Sequence, residues 1–234
     1  MAIVMMAGTG ETSEAANSNV PVGMLKGVTD RVKAAVGGQV SIIFPGYSAS
    51  AFNKGKTYVE SKESGKQALK AALQRLDPST KVVFGGYSQG ADIAGDVASD
   101  IGNNRGPITA DRILGVALLA DPGRGTTGEA LVGPNTSPGV GMGGDRPGGM
   151  GALAGRVATI CDTGKGGSPG DMYCNLDRKK YPLVANISQM LAMTPAEAKT
   201  KGAEDQKLGG LPGTVGQSGV KGQNVCMEPR ISGG

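Results

Sequence analysis

Lys81-Val82-Val83-Phe84-Gly85-Gly86-Tyr87-Ser88-Gln89-Gly90-Ala91 decides the reading of this chain. Lys81 to Gly85 is an apolar, β-branched and aromatic run that predicts a buried strand. It passes directly into Gly86-Tyr87-Ser88-Gln89-Gly90, and Ala91 to Ile101 continues with helical spacing. A GxSxG match by itself carries little weight in a chain with 41 glycines. Placed between a strand and a helix, it is the arrangement of a nucleophile elbow, where the serine sits on a strained turn and small flanking residues keep neighbouring backbones from colliding. The reading makes Ser88 a nucleophile and puts the backbone N–H of Gln89 at a helix N-terminus, where it can stabilise an oxyanion.

Outward from this block, strands and helices alternate. Ala2 to Met6 predicts a first strand, stopped by Gly8-Thr9-Gly10-Glu11. Val22, Leu25, Val28, Val32 and Val36 recur at helical spacing before Gly37-Gly38. Val40 to Phe44 reads as a strand buried on both faces, and Tyr58 to Leu76 as a helix closed by Asp77-Pro78. Ile113 to Ala120 and Arg156 to Ile160 supply a fourth and a fifth strand. Asp121 to Gly151 is dense in glycine and proline without clear periodicity, either a functional lid or tolerated surface. Pro182 to Met193 predicts a last helix, and Thr194-Pro195 can start another. Such alternation implies an α/β fold with a parallel sheet and helices on both faces. We expect one domain over residues 1–207 and a Gly/Pro/Ser-rich, flexible tail over 208–234.

Composition removes several classes of function. The chain has no histidine, so histidine-dependent chemistry cannot be completed by these 234 residues alone. It has no tryptophan, only 3% aromatic residues, and a net charge of +4 from interspersed charges, which argues against nucleic-acid binding. No apolar run approaches a membrane span, and Met1 to Gly8 forms no signal peptide, so a soluble protein or a trimmed mature form is expected. Cys161, Cys174 and Cys226 lack metal-binding spacing.

Three further groups complete the candidate site. Thr9, in the loop after the first strand, can present a second oxyanion donor; a plain glycine turn without that role is the alternative. Asp162 and Asp171 both follow the fifth strand, where a triad acid belongs. Asp171 has the better setting, because a bridge between Cys161 and Cys174 would close a loop around it; reduced buried thiols are the alternative.

These blocks resemble the cutinase family of serine esterases, in particular its actinobacterial branch and related phage lysins. The likeness runs through Gly8-Thr9-Gly10-Glu11, Gly85 to Ala91 and Gly170-Asp171-Met172-Tyr173-Cys174, and covers about residues 2–193. It implies an α/β-hydrolase with a small, five-stranded parallel sheet. It also implies Ser88 as nucleophile, Thr9 and Gln89 as oxyanion hole, Asp171 as triad acid and a Cys161–Cys174 disulfide. Carboxylic esters, from short acyl to lipid or cell-envelope esters, are then the substrates, with no cofactor or metal and a secreted or envelope location. Against the family pattern, the segment after Asp171 contains Lys179, Lys180 and Tyr181 but no histidine. A base beyond Gly234, a lysine base, a base from a partner, or a catalytically inactive hydrolase fold that binds a lipid, glycolipid or protein are the open alternatives.

Overall fold

Alternation within the first strand sorts the core into two faces. In β1 (Ala2–Met6), Val4 and Met6 point into one apolar cluster, while Ile3 and Met5 point into the other. The same division recurs in β3 (Val82–Tyr87), where Val82 and Phe84 share the side of Val4, and Val83 and Tyr87 that of Ile3. Both faces of the sheet are therefore covered, as expected for parallel strands. The computed structural model describes residues 1–51, 56–125, 128–133, 139–164 and 170–191. The 208–234 tail, the Thr194-Pro195 start and Cys226 lie outside these residues.

One face is packed by α2 (Tyr58–Gln74) and α3 (Gln89–Gly102). Thr57 and Glu60 form a reciprocal capping box that starts α2, the Glu60 N–H donating to Thr57 Oγ1 and the Thr57 N–H to Glu60 Oε2. Gly65 lets the two helices approach, since a Cβ there would stand 2.3 Å from Ile93 Cδ1. The other face meets α1 (Lys26–Val36) through Leu25, Thr29 and Val32. This shifts the expected stripe: Val28 and Val36 are exposed, and residues 23–25 form a turn before the helix, with Gly23 at φ 63° and the Met24 N–H donating to Glu11 Oε1.

Among the described residues the sheet holds six parallel strands rather than five. Its order is β2 (Ser41–Ile43), β1, β3, β4 (Ile113–Leu119), β6 (Val157–Ile160), β5 (Glu129–Val132). The extra strand β5 lies inside the stretch read as aperiodic and pairs with β6 at the edge, Glu129 opposite Val157 and Val132 opposite Ile160. At the opposite edge β2 is only partly buried, with Ser41 exposed, which corrects the expectation of a strand covered on both faces. The last described helix is α4 (Pro182–Leu191). Because every strand runs the same way, the loops after β1, β3, β4 and β6 all emerge at one edge, the side where open parallel sheets gather ligands.

Candidate active site

At that edge Ser88 adopts φ 54° and ψ −121°, a conformation rarely open to a residue with a Cβ. Its N–H donates to the Leu119 carbonyl and its own carbonyl accepts from Ala91 and Asp92, so both strand β4 and the first turn of α3 hold the turn. The flanking glycines are obligatory here. A Cβ on Gly86 would fall 2.1 Å from Gly90 O, and one on Gly90 would fall 2.3 Å from Met6 O. The spacing between glycines and serine thus follows from three backbones meeting at one point.

Gln89 is buried, and its side chain is committed to the scaffold: Nε2 donates to Ser50 O, and Oε1 accepts from Ser61 Oγ. Its backbone N–H is one of the first four of α3, which a helix leaves without an internal acceptor. Thr9 stands opposite, exposed, on a loop held by several bonds. Glu11 Oε2 accepts from the Gly8 N–H at 2.7 Å, the Gly10 N–H donates to Ala49 O, and Tyr47 Oη donates to Ala7 O. Burial, with Glu11 and Asp92 adding to it, pushes the Tyr47 phenol far above its ordinary pKa, so it stays a donor.

Asp171 is positioned from β6. Cys161 and Cys174 form a disulfide, the Asp171 N–H donates to Asp162 O at 2.7 Å, and its Oδ1 accepts from the Tyr173 N–H at 2.9 Å. Asp162, the other acid considered, is exposed, and its Oδ1 accepts from the Gly164 N–H. Thr9, Ser88, Gln89 and Asp171 all line one cavity of about 400 Å³. Lys179 and Lys180 are exposed and are not among its lining residues.

The described parts of the 121–151 segment form a wall of this cavity through Pro122, Met142 and Gly143. The Met142 N–H donates to Tyr173 O and the Gly143 N–H to Pro122 O, so the wall is stitched to the loop that carries Asp171. Beneath it lies a buried ion cluster that sequence reasoning missed. The Arg146 guanidinium bonds Asp121 at 2.8 and 3.0 Å, Asp92 at 3.1 Å, Asp96 at 3.0 Å and Gly123 O at 2.7 Å. Lys62 adds ion pairs to Asp92 and Asp96. Burial pulls the Lys62 pKa down, but Asp92 and Asp96 together leave it above its ordinary value; burial raises that of Asp96, but Lys62 and Arg146 leave it lowered. Tyr58 Oη donates to Asp92 Oδ2 at 2.8 Å, and burial together with Asp92 holds the phenol protonated. Tyr58 and Asp92 both line the cavity, as does Ser188 from α4. Asp92 had a local signal, in the first turn of the helix that follows Ser88, whereas Arg146 meets partners 23 to 54 residues away and has none.

Among the described residues no cluster of His, Cys, Asp and Glu is placed to hold a metal ion, and no helix is long and apolar enough to cross a membrane.

The sequence profile of the cutinase family matches residues 2–187. A carboxylesterase Culp6 homolog from Corynebacterium glutamicum is 40% identical over 118 residues, covering 42% of this chain and 36% of that protein. The match thus spans about a third of that relative's length. Among solved structures, the catalytic core of acetyl xylan esterase from Trichoderma reesei superposes with a TM-score of 0.55 at 21% identity, covering 80% of this chain and 91% of that one. Lysin B from Mycobacteriophage D29 gives 0.56 at 18%, covering 82% and 74%. A cutinase-like protein from Cryptococcus sp. gives 0.52 at 19%, covering 89% and 95%. At such identities the structures speak for the fold, an α/β-hydrolase sheet, and the profile speaks for ancestry. With that profile running from β1 into α4, the chain belongs to the cutinase family.

Proposed function

We propose that this chain is a serine ester hydrolase for carboxylic esters, with Ser88 as nucleophile, the backbone N–H groups of Gln89 and Thr9 as oxyanion donors, and Asp171 as the acid of the site. The observation that carries it is the convergence of Ser88, in its left-handed turn, with Thr9, Gln89 and Asp171 on one cavity. In this reading Ser88 Oγ attacks the ester carbonyl carbon, the carbonyl oxygen gains charge towards Gln89 and Thr9, the ester C–O bond breaks and the Oγ proton ends on the departing alcohol, and water then cleaves the acyl–Ser88 bond, giving the acid and restoring the serine hydroxyl. No cofactor takes part. Lipid or cell-envelope esters and a secreted or envelope-associated location are the substrate and place that the family suggests, and the disulfide fits oxidising surroundings.

One observation favours a second reading. The chain contains no histidine, and a site without its base loses about 10⁴ to 10⁶ in turnover. That favours a catalytically inactive hydrolase fold which binds a lipid, glycolipid or protein. Labelling of Ser88 by a fluorophosphonate, together with hydrolysis of p-nitrophenyl butyrate that disappears in Ser88→Ala, is the outcome expected of the enzyme. Folded protein that takes no label, turns over nothing and gains thermal stability with a lipid ligand would decide for the binder.

A further inference from the structure

Three oxygens on the cavity wall have no hydrogen-bond partner among the described residues: Ser88 Oγ, Asp171 Oδ2 and Ser188 Oγ. Ser188 is only 7% exposed, on the helix that follows Asp171 in the chain. Although the residue is buried, its hydroxyl opens onto the cavity without a protein partner among the described residues, so it is free to bond a ligand there. In α/β-hydrolases the order nucleophile, acid, base runs along the chain, so the base follows the acid. Here the element after the acid brings a serine to the cavity, and a serine hydroxyl is far too weak a base to take the proton of Ser88.

We propose that the space bounded by Ser88, Asp171 and Ser188 is a binding site for an imidazole supplied from outside these 234 residues, with Ser188 standing where the general base belongs. This rests on the esterase reading above and names how that site is switched on. A ring seated there donates one N–H to Asp171 Oδ2 and presents its other nitrogen to Ser88. As the bond from Ser88 Oγ to the ester carbon forms, that nitrogen takes the Oγ proton. As the ester C–O bond breaks, the imidazolium returns the proton to the departing alkoxide. Water then repeats both transfers on the acyl group, leaving acid, alcohol and the ring unchanged.

The test uses the whole chain and an alkyl ester, ethyl butyrate, followed by titration of the released acid, because free imidazole attacks aryl esters by itself. Wild type is expected to hydrolyse it slowly alone, and about 10- to 100-fold faster with imidazole, saturating with concentration and absent in Ser88→Ala. N-acetylhistidine methylamide in place of imidazole distinguishes a polypeptide-borne ring from a free one; activation by either ring supports the site. Ser188→His is expected to turn over without additive, with a pH midpoint near the ordinary histidine value of about 6.5. Val184→His, at an exposed position one turn earlier, is expected to gain nothing. Equal gains in both variants would overturn the placement. Ser88-dependent hydrolysis by wild type that ignores both additives would show that a base is already present, and so overturn the inference while sparing the esterase reading. If Ser188→His does not fold, the wild-type arm still decides: no activation by either ring, in protein with native circular dichroism, sinks the proposal. Failure of the esterase reading itself is seen separately, as absence of fluorophosphonate labelling of Ser88 even with imidazole present.

Discussion

Ser88 holds its oxygen above the sheet by accepting a backbone conformation that a serine does not otherwise choose, and that strain has a measurable size. Left-handed backbone costs a non-glycine residue about 1–2 kcal/mol, of which glycine's extra freedom in the unfolded chain takes back roughly 0.5–1. Ser88→Ala and Ser88→Gly both remove Oγ, so their difference isolates the backbone. Ser88→Gly is expected to be the more stable by about 1 kcal/mol in urea unfolding. Equal stabilities would mean that the turn stores no strain. Gly90→Ala works in the opposite direction: its methyl would meet Met6 O at 2.3 Å and Ala7 O at 2.4 Å, backbone atoms that cannot rotate aside. A loss of about 3 kcal/mol is expected, at the upper end for overpacking. At this scale much of the candidate site was readable. Ser88 and its glycines carry their reason in local spacing, and Asp171 lies in a block with its own cysteine. Ser188 and Tyr58 were not readable as cavity residues, because nothing in a helix's own sequence says which turn will look into a cleft formed by other elements.

Between elements, Arg146 does what no single residue could. It ties the loop after β4, through Asp121, to two successive turns of α3, through Asp92 and Asp96, while Lys62 brings in α2. The fit has shaped its neighbours, since a Cβ on Gly95 or Gly123 would fall 2.3 or 2.5 Å from the guanidinium. Arg146→Met strands buried carboxylates without their counter-charge and is expected to cost about 3–5 kcal/mol by denaturant unfolding. A loss under 1 kcal/mol would mean that Lys62 suffices. The cluster also sets a pH window. The Asp96 pKa is lowered on folding, so its stabilisation is full above the unfolded value of about 3.9 and fades as pH falls through the folded one. The Lys62 pKa is raised, so its stabilisation is full below about 10.4 and fades as pH rises beyond that, through the folded value. Thermal unfolding against pH should therefore lose part of its acid limb in Asp96→Asn; an unchanged limb would assign it to other carboxylates. Elements with strong apolar runs, β1, β3 and β4, were legible in the sequence. The strand β5 was not: Glu129 to Val132 alternates over too few residues, and its pairing with β6 comes from tertiary packing. The face of α1 was misjudged for a related reason, because Thr29 rather than Val28 turns inward.

For the molecule as a whole, parallel topology explains why residues as distant as Thr9 and Asp171 meet: each follows a strand, and all strands end at the same edge. That arrangement places the site on loops, whose precision must come from ties outside the sheet. The loop of Thr9 is tied by Glu11 and Tyr47, the elbow by β4 and α3, and the 139–143 wall by Pro122 and Tyr173. The loop of Asp171 is tied covalently. The Cys161–Cys174 bridge spans 13 residues, and in the chain-entropy model closing a loop of that size is worth about 3 kcal/mol. For a domain of this length that corresponds to a Tm lower by roughly 6–12 °C in the double variant Cys161→Ser, Cys174→Ser, read by calorimetry. A purely entropic bridge would stop there, leaving rates measured well below Tm untouched. The backbone tie between Asp171 N and Asp162 O lies within the same loop, so loosening the bridge frees the carboxylate along with it. The Ser88-dependent rate, measured with imidazole or in the Ser188→His background, is therefore expected to fall a further ten- to hundredfold at a temperature where the variant is fully folded. A lower Tm with an unchanged rate would show that hydrogen bonds alone place Asp171 and that the disulfide serves stability only.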